Sequence, residues 1–212
     1  LQGKFISFEG PDGAGKTSVL KEIDIKLTKQ LGDQLLLTRE PGGNPISESI
    51  RHIILDKANT QMDARTEALL YAAARRQHLV EQVIPALDAG KVVLSDRYVD
   101  SSIAYQGAGR KIGAKEVWQM NQFATDGLEP DLTIYLDIEP QEGIQRIKQH
   151  RQNEINRLDV EQLAFHQRVR SAYLKLLEQY PGRIKLIDAS QPFDEVVAAV
   201  QATIVRKYPD LF

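Results

Sequence analysis

The sequence has no cysteine, which removes disulfides, thiol catalysis and cysteine-held metal together and leaves the redox compartment undecided. It also lacks a surplus of either charge. Against 29 Asp and Glu there are 27 Lys and Arg, a formal charge of −2, so no broad attraction to nucleic acid or to an anionic membrane is expected, and any basic site must be local. No stretch approaches the roughly 20 apolar residues of a membrane span, and Leu1 to Ile6 does not read as a signal peptide. A cytoplasmic chain with neither nucleic-acid nor membrane partner is the expectation. There is also no internal repeat, low-complexity run or linker. With 212 residues, 42% hydrophobic and 26% charged, the chain has an ordinary globular composition, and one domain over 1–212 is expected.

What is present is alternation. Short apolar, β-rich runs occur at Lys4–Phe8, Leu35–Thr38, Lys91–Ser95, Leu132–Asp137 and Arg183–Ile187, with helical stretches between them. Leu20, Ile23, Leu27 and Leu31 fall three or four apart and make one apolar stripe that Gly32 ends. Asp63–Ala89 reads as a long helix behind an Asp N-cap, stopped by Gly90 and kinked in its last turns by Pro85. Val117–Thr125, Val160–Tyr180 and Val196–Val205 read as further helices. Five strands with long helical crossovers predict an α/β fold with a parallel sheet covered on both faces. The polar run Gln149–Asn156, QHRQNEIN, reads either as a solvated connection between two helices or as a flap.

Gly10–Thr17, GPDGAGKT, fits G-x-x-x-x-G-K-[ST] and has the required context, a strand before it and an apolar-striped helix after it. Gly10, Gly13 and Gly15 let backbone N–H groups turn inward around a phosphate, with Asp12, Ala14 and Ser18 in the same stretch, and the helix N-terminus adds partial positive charge. Lys16 then reaches the β and γ phosphates while the Thr17 hydroxyl ligates Mg²⁺. Such a loop names no reaction. A GTPase needs a guanine-reading element such as Asn-Lys-x-Asp, absent from this sequence, and a motor ATPase usually needs a larger chain. A kinase of small molecules needs a second, arginine-rich pocket that brings an acceptor anion against the γ-phosphate.

The expected strand ends supply one: TREPGG at Thr38–Gly43, SDRYVDSSIAYQG at Ser95–Gly107 and DAS at Asp188–Ser190. Arg39 and Arg97 stand just where these strands stop. Asp96 ends an apolar strand, where a carboxylate holds Mg²⁺ or its water, or else caps a turn. Tyr71 and Arg75 are four apart on one helix face. They read as an aromatic plate and a fork of donors suited to a planar base, or as a core tyrosine and a solvated arginine.

In order, FEGPDGAGKTS, TREPGG, TEALLYAAARRQHL, DRYVDSSIAYQG, GLEPDLTIYLDI and NRLD resemble the thymidylate kinases of Gram-positive bacteria, from about Phe5 to Ile187. The resemblance implies a three-layer P-loop NTPase fold of nucleoside monophosphate kinase type, with a five-stranded parallel sheet flanked by helices and a short lid at about 149–157. It implies a homodimer that transfers the ATP γ-phosphoryl group to dTMP with Mg²⁺, giving dTDP and ADP on the way to dTTP. It further implies that Asp12 faces the sugar 3′-OH side, that Arg39, Arg51 and Arg97 lie around the acceptor 5′-phosphate beside Glu40 and Pro41, and that Tyr71 stacks on thymine. Arg75 and Gln106 hydrogen-bond the base, Ser101 and Ser102 line it, and Tyr105 crowds the position of a 2′-OH. On the donor side it puts Arg146 against adenine, with the loop Asp188–Gln191 as its border. Arg151 and Arg157 look like lid arginines that act with Lys16 and Arg97 at the transition state, consistent with Gly13, not arginine, after Asp12. Asp12 and Tyr71 stand where the family more often has Glu and Phe.

Two other readings compete. A kinase for another small acceptor, such as a deoxynucleoside or a different monophosphate, is disfavoured by the base plate Tyr71 and Arg75 together with Arg39 and Arg97, because a nucleoside without phosphate would not need so many cations near the acceptor 5′ end. An ATP-dependent switch would need a partner-binding element that the sequence does not offer.

Overall fold

The apolar strands pair into one sheet because each can bury both faces only between helices. The computed structural model describes residues 2–150, 157–158 and 161–211. In chain order the elements are β1 (Lys4–Glu9), α1 (Lys16–Leu31), β2 (Leu35–Arg39), α2 (Pro45–Leu55), α3 (Ala64–His78), α4 (Ile84–Asp88), β3 (Val92–Asp96) and α5 (Val99–Ser102). They continue as α6 (Ala114–Thr125), β4 (Leu132–Asp137), α7 (Pro140–His150), α8 (Leu163–Gln179), β5 (Ile184–Asp188) and α9 (Phe193–Lys207). All the strand pairs are parallel, in the order β2-β3-β1-β4-β5, which bears out the expected five-stranded sheet.

The alternation of β1 splits the core. Ile6 and Phe8 face Val19, Ile23 and Leu27 of α1 and Val200 and Ile204 of α9, whereas Phe5 faces Leu79, Val83 and Tyr98 on the other side. Near the sheet's other end on that second side, Tyr135 stacks on Tyr173 of α8 with ring centroids 5.0 Å apart.

The strands end later than their apolar runs. β1, β2, β3 and β5 each end one residue later than expected, and that residue is charged in every case: Glu9, Arg39, Asp96 and Asp188. Pairing aligns them, with Arg39 and Phe8 both opposite Asp96, and Asp188 opposite Asp137. One sheet edge is therefore a row of ionisable groups.

The expected helix over Asp63–Ala89 is a correction in detail. It holds from Ala64 to His78, widens into a π turn over Leu79–Val83 and resumes at Ile84. Pro85 has no N–H to give and its ring clashes with an α-helical carbonyl four residues back, so it sits in the first turn of a new helix instead of kinking an old one. Helix α2 was not expected: Asn44 caps it by accepting from Ser47 N–H at 2.9 Å, with Pro45 as its first residue. Helix α8 begins at Leu163, and Val160 lies outside the described residues.

Asp63 is the N-cap, accepting from the N–H groups of Arg65 at 2.9 Å and Thr66 at 3.0 Å. Asp63→Ala is expected to cost about 1 kcal/mol and to lower the melting temperature by roughly 2–4 °C. Calorimetry that finds no shift would mean this end of α3 is held by packing alone.

Candidate active site

The charged row opens onto a cavity of about 640 Å³. At one end lies the phosphate loop. Gly13 and Gly15 have φ of +83° and +82°, which an L side chain resists, and α1 starts at Lys16 with no side-chain cap, so its first N–H groups remain available to an anion. Lys16 Nζ donates to the carbonyls of Gly10 and Pro11, both at 2.9 Å. Burial, then the charge of Arg97, push its ammonium down to about 8 against Asp12 and Asp96. Asp12, Gly13, Gly15, Lys16, Thr17 and Ser18 line the cavity, while Gly10 and Ala14 are buried behind it. A Cβ on Gly13 would lie 2.2 Å from the carbonyl oxygen of Gly143, and one on Gly143 would lie 2.6 Å from that of Asp12. The loop and α7 thus meet backbone to backbone.

Arg97 follows β3 in the left-handed region, φ +74°, a position uncommon for a non-glycine residue and held by its surroundings. Its N–H donates to Phe8 at 2.9 Å and its carbonyl accepts from Ser95 Oγ at 2.8 Å. The guanidinium donates to Asp12 Oδ1 at 2.5 Å, to Ser101 Oγ at 3.0 Å and to the Tyr105 hydroxyl at 3.2 Å, and Tyr105 donates to Asp12 Oδ2 at 2.7 Å. Burial pushes the Asp12 carboxyl up, but Arg97, Lys16 and Tyr105 together outweigh it and hold it down at about 2.

Behind this triad sits Glu9, fully buried. It accepts from Tyr98 N–H at 2.7 Å, Ser101 Oγ at 2.5 Å and Tyr173 Oη at 2.9 Å. Burial, then the charge of Asp100, push its carboxyl up to about 7 against Ser101, Arg97 and Tyr173. Glu9 therefore holds both the backbone next to Arg97 and the hydroxyl that Arg97 uses.

The cavity is further lined by Tyr71, Arg75, Ser101, Ser102, Tyr105 and Gln106. Arg75 is buried, only 2% exposed, with Nε donating to Glu40 at 2.6 Å, Nη1 to Ser102 at 3.1 Å and to Asn121, and Nη2 to the Tyr98 carbonyl at 3.1 Å. Glu40 also meets His78 Nδ1 at 3.0 Å. Burial raises the Glu40 carboxyl, but Arg75 and His78 bring it below the ordinary range. Of the two readings of Arg75, the solvated face is overturned. Tyr71 both packs on the cluster of Ile103, Tyr105 and Phe165 and forms cavity wall.

Arg39, Glu40, Pro41 and Arg51 form the adjoining wall. Arg39 pairs with Glu48 at 3.0 Å and Arg51 donates to the Pro41 carbonyl at 2.9 Å. Burial, then the charge of Arg39, push Arg51 down. On the remaining side Arg146 of α7 lines the cavity, donating to the Ala189 carbonyl at 2.9 Å and to Glu142 at 2.6 Å. Asp188 closes a turn on Ser190 and Gln191 and is not on the cavity wall. Arg157 is turned to Glu67 at 2.5 Å and to the Ile54 carbonyl at 3.0 Å, away from the phosphate loop. Arg151, with most of the expected lid, lies outside the described residues.

Thr17 Oγ1 donates to Asp96 Oδ2 at 2.8 Å, and both side chains face the cavity. Two hard oxygen groups beside a phosphate site fit Mg²⁺, which takes few protein ligands and completes its shell with phosphate and water. Sequence reasoning missed Glu9, Glu67 and Tyr173, which support the wall, and Leu55, Ile147 and Leu158, which form apolar parts of it.

Three comparisons agree. The family described as thymidylate kinase matches residues 8–200. A thymidylate kinase of Limosilactobacillus reuteri is 63% identical over all of both chains, and one of Enterococcus faecalis is 58% identical with the same full coverage. The crystal structure of thymidylate kinase from Ehrlichia chaffeensis superposes with a TM-score of 0.78 at 30% identity, covering 96% of this chain and 99% of that one.

Because Glu9 is raised above its unfolded value, the folded state keeps a proton that the unfolded state loses, so stability falls as pH climbs from the ordinary glutamate range through about 7. Urea midpoints at about pH 5 and about pH 7.5 should show wild type losing ground to Glu9→Gln on going to the higher pH. A gap that stays constant with pH would assign the titration elsewhere.

Proposed function

The chain belongs to the thymidylate kinase family and phosphorylates dTMP with ATP, and from that premise we propose how its residues divide the transfer. The observation that carries the proposal is one cavity lined both by a phosphate loop and by an aromatic, amide and arginine cluster. In this reading Gly10 and the residues from Gly13 to Ser18 hold the ATP phosphates, with Lys16 at the transferring end. Arg146 lies against adenine, bordered by the turn at Asp188 that its bond to Ala189 ties down.

The dTMP 5′-phosphate lies among Arg39, Arg51 and Arg97, beside Glu40 and Pro41. Asp12, held by Arg97 and Tyr105, receives the sugar 3′-OH, and Tyr105 crowds a 2′-OH. Tyr71 stacks on thymine, whose edge meets Arg75 and Gln106, with Ser101 and Ser102 on the wall. Thr17 and Asp96 would hold Mg²⁺, which when bound supplies charge to the phosphates. Phosphoryl transfer asks for alignment and neutralisation more than for bond-making by side chains, and fixed cations provide both. Lys16 and Arg97 are two such cations, and Arg151 and Arg157 from the lid are the others. For Arg157 that share requires leaving Glu67.

The reading includes a cytoplasmic homodimer. Helix α3 packs against both α2 and α6, and the three expose Ile53, Leu69 and Phe123, the last 92% exposed. Apolar surface of this kind marks an interface between proteins. No helix among the described residues is long and apolar enough to cross a membrane.

Arg97→Ala is expected to lower kcat for dTMP by about 10³-fold or more while the ATP dissociation constant, read by calorimetry, hardly moves. Equal losses in rate and in ATP affinity would place Arg97 on the donor side, and in a coupled ADP-release assay thymidine outpacing dTMP would overturn the acceptor. For the dimer, light scattering should return twice the chain mass for wild type and the single-chain mass for Phe123→Asp. A monomeric wild type refutes it.

A further inference from the structure

Gln106 lies in the wide π turn Ile103–Gly109 that follows α5, only 1% exposed yet on the cavity wall. Its amide nitrogen donates to Glu67 Oε1 at 2.8 Å, and its amide oxygen accepts no hydrogen bond among the described residues. An amide can be turned either way, so what settles its orientation is the partner. Glu67 is fully buried on α3 and faces two guanidinium groups, Arg157 at 2.5 Å and Arg110 at 3.1 Å. Between two such donors its oxygens serve as acceptors, and only an N–H can point at them. The Gln106 nitrogen is thus committed to Glu67, and the oxygen is left to serve the cavity.

Arg75, which lines the same cavity, has five N–H donors. Four are engaged by Glu40, Ser102, Asn121 and the Tyr98 carbonyl, which leaves one on Nη2. The wall that Gln106 and Arg75 share therefore offers the cavity both an acceptor and a donor. A pyrimidine with a ring N–H next to a carbonyl, as in thymine and uracil, presents the complementary pair. Cytosine presents the reverse, a bare ring nitrogen next to an amino group.

We propose that Glu67 is a positioning residue for base specificity: by taking the Gln106 amide nitrogen it keeps the amide oxygen toward the cavity, so that a ring N–H is accepted and a ring-nitrogen acceptor is repelled. The role rests on the reading of this cavity as the dTMP site. Glu67 acts through Gln106 and needs no contact of its own with the base. It also gives a role toward the base to a buried carboxylate that Arg157 would leave when it joins the transfer, Arg110 then remaining on Glu67.

The test is the ratio of kcat/KM for dTMP to that for dCMP. In Glu67→Gln the new side chain can accept as well as donate, so the Gln106 amide is free to turn. The preference for dTMP should then narrow by about tenfold or more, Arg75 still opposing the cytosine amino group. Glu67→Asp keeps an acceptor-only partner and should keep the preference even where overall efficiency falls. A Glu67→Gln enzyme with the wild-type ratio, or a Glu67→Asp enzyme that loses the preference equally, overturns the proposal. Should Glu67→Gln not fold, Gln106→Met carries the same comparison: collapse of the preference supports the assignment and an unchanged ratio overturns it. Failure of the dTMP reading itself would show already in wild type, as no turnover of dTMP.

Discussion

Six basic side chains, Lys16, Arg39, Arg51, Arg75, Arg97 and Arg146, share the wall of one cavity with three carboxylates. Like charges at such spacing repel, and burial strengthens the repulsion, so the fold must fasten each cation individually. It does so from behind. Arg75 is tied to Glu40, Arg97 to Asp12, Arg39 to Glu48 and Arg146 to Glu142. Lys16 and Arg51 are tied to backbone carbonyls. These ties come from two strand-to-helix connections, β1 to α1 and β2 to α2, and from α2 and α7 themselves, which explains why the sheet edge, and not any one loop, is where the site is assembled. A cation already ordered by its own neighbours loses little further freedom when a phosphate meets it, which is the condition for electrostatic catalysis by preorganisation.

The phosphate loop was legible because its chemistry is written in consecutive residues, Gly10 to Thr17, between a strand and a helix. The sheet was legible for the opposite reason: central strands buried on both faces read as unbroken apolar runs. Where apolarity stopped, so did the reading, one residue short of Glu9, Arg39, Asp96 and Asp188. Of those last residues Arg39 and Asp96 belong to the strands by hydrogen bonding but to the cavity wall by side chain, and Glu9 supports that wall from behind. The π turns at Leu79–Val83 and Ile103–Gly109 left no mark either, since one extra residue per turn hardly disturbs a helical pattern over so short a run.

Supporting residues were the least legible. Glu9 meets Tyr173 across 164 positions, and Glu67 meets Arg157 across 90. Nothing local distinguishes either from an ordinary surface glutamate. Tyr71 and Arg75 were an intermediate case. Their spacing put them on one face of α3, but periodicity could not say whether that face met solvent or a cavity, and only the burial of Arg75 against Glu40 decides.

The meeting of Gly13 and Gly143 gives the cavity its measure. Neither backbone leaves space for a single carbon atom between the loop and α7, and α7 carries Arg146 and Ile147 to the wall of the same cavity. The breadth of the opening is therefore fixed by two side chains that do not exist. A methyl group at either position would act as a wedge, spreading the loop from α7 and loosening the fit for both nucleotides at once, by way of backbone that carries no reactive group.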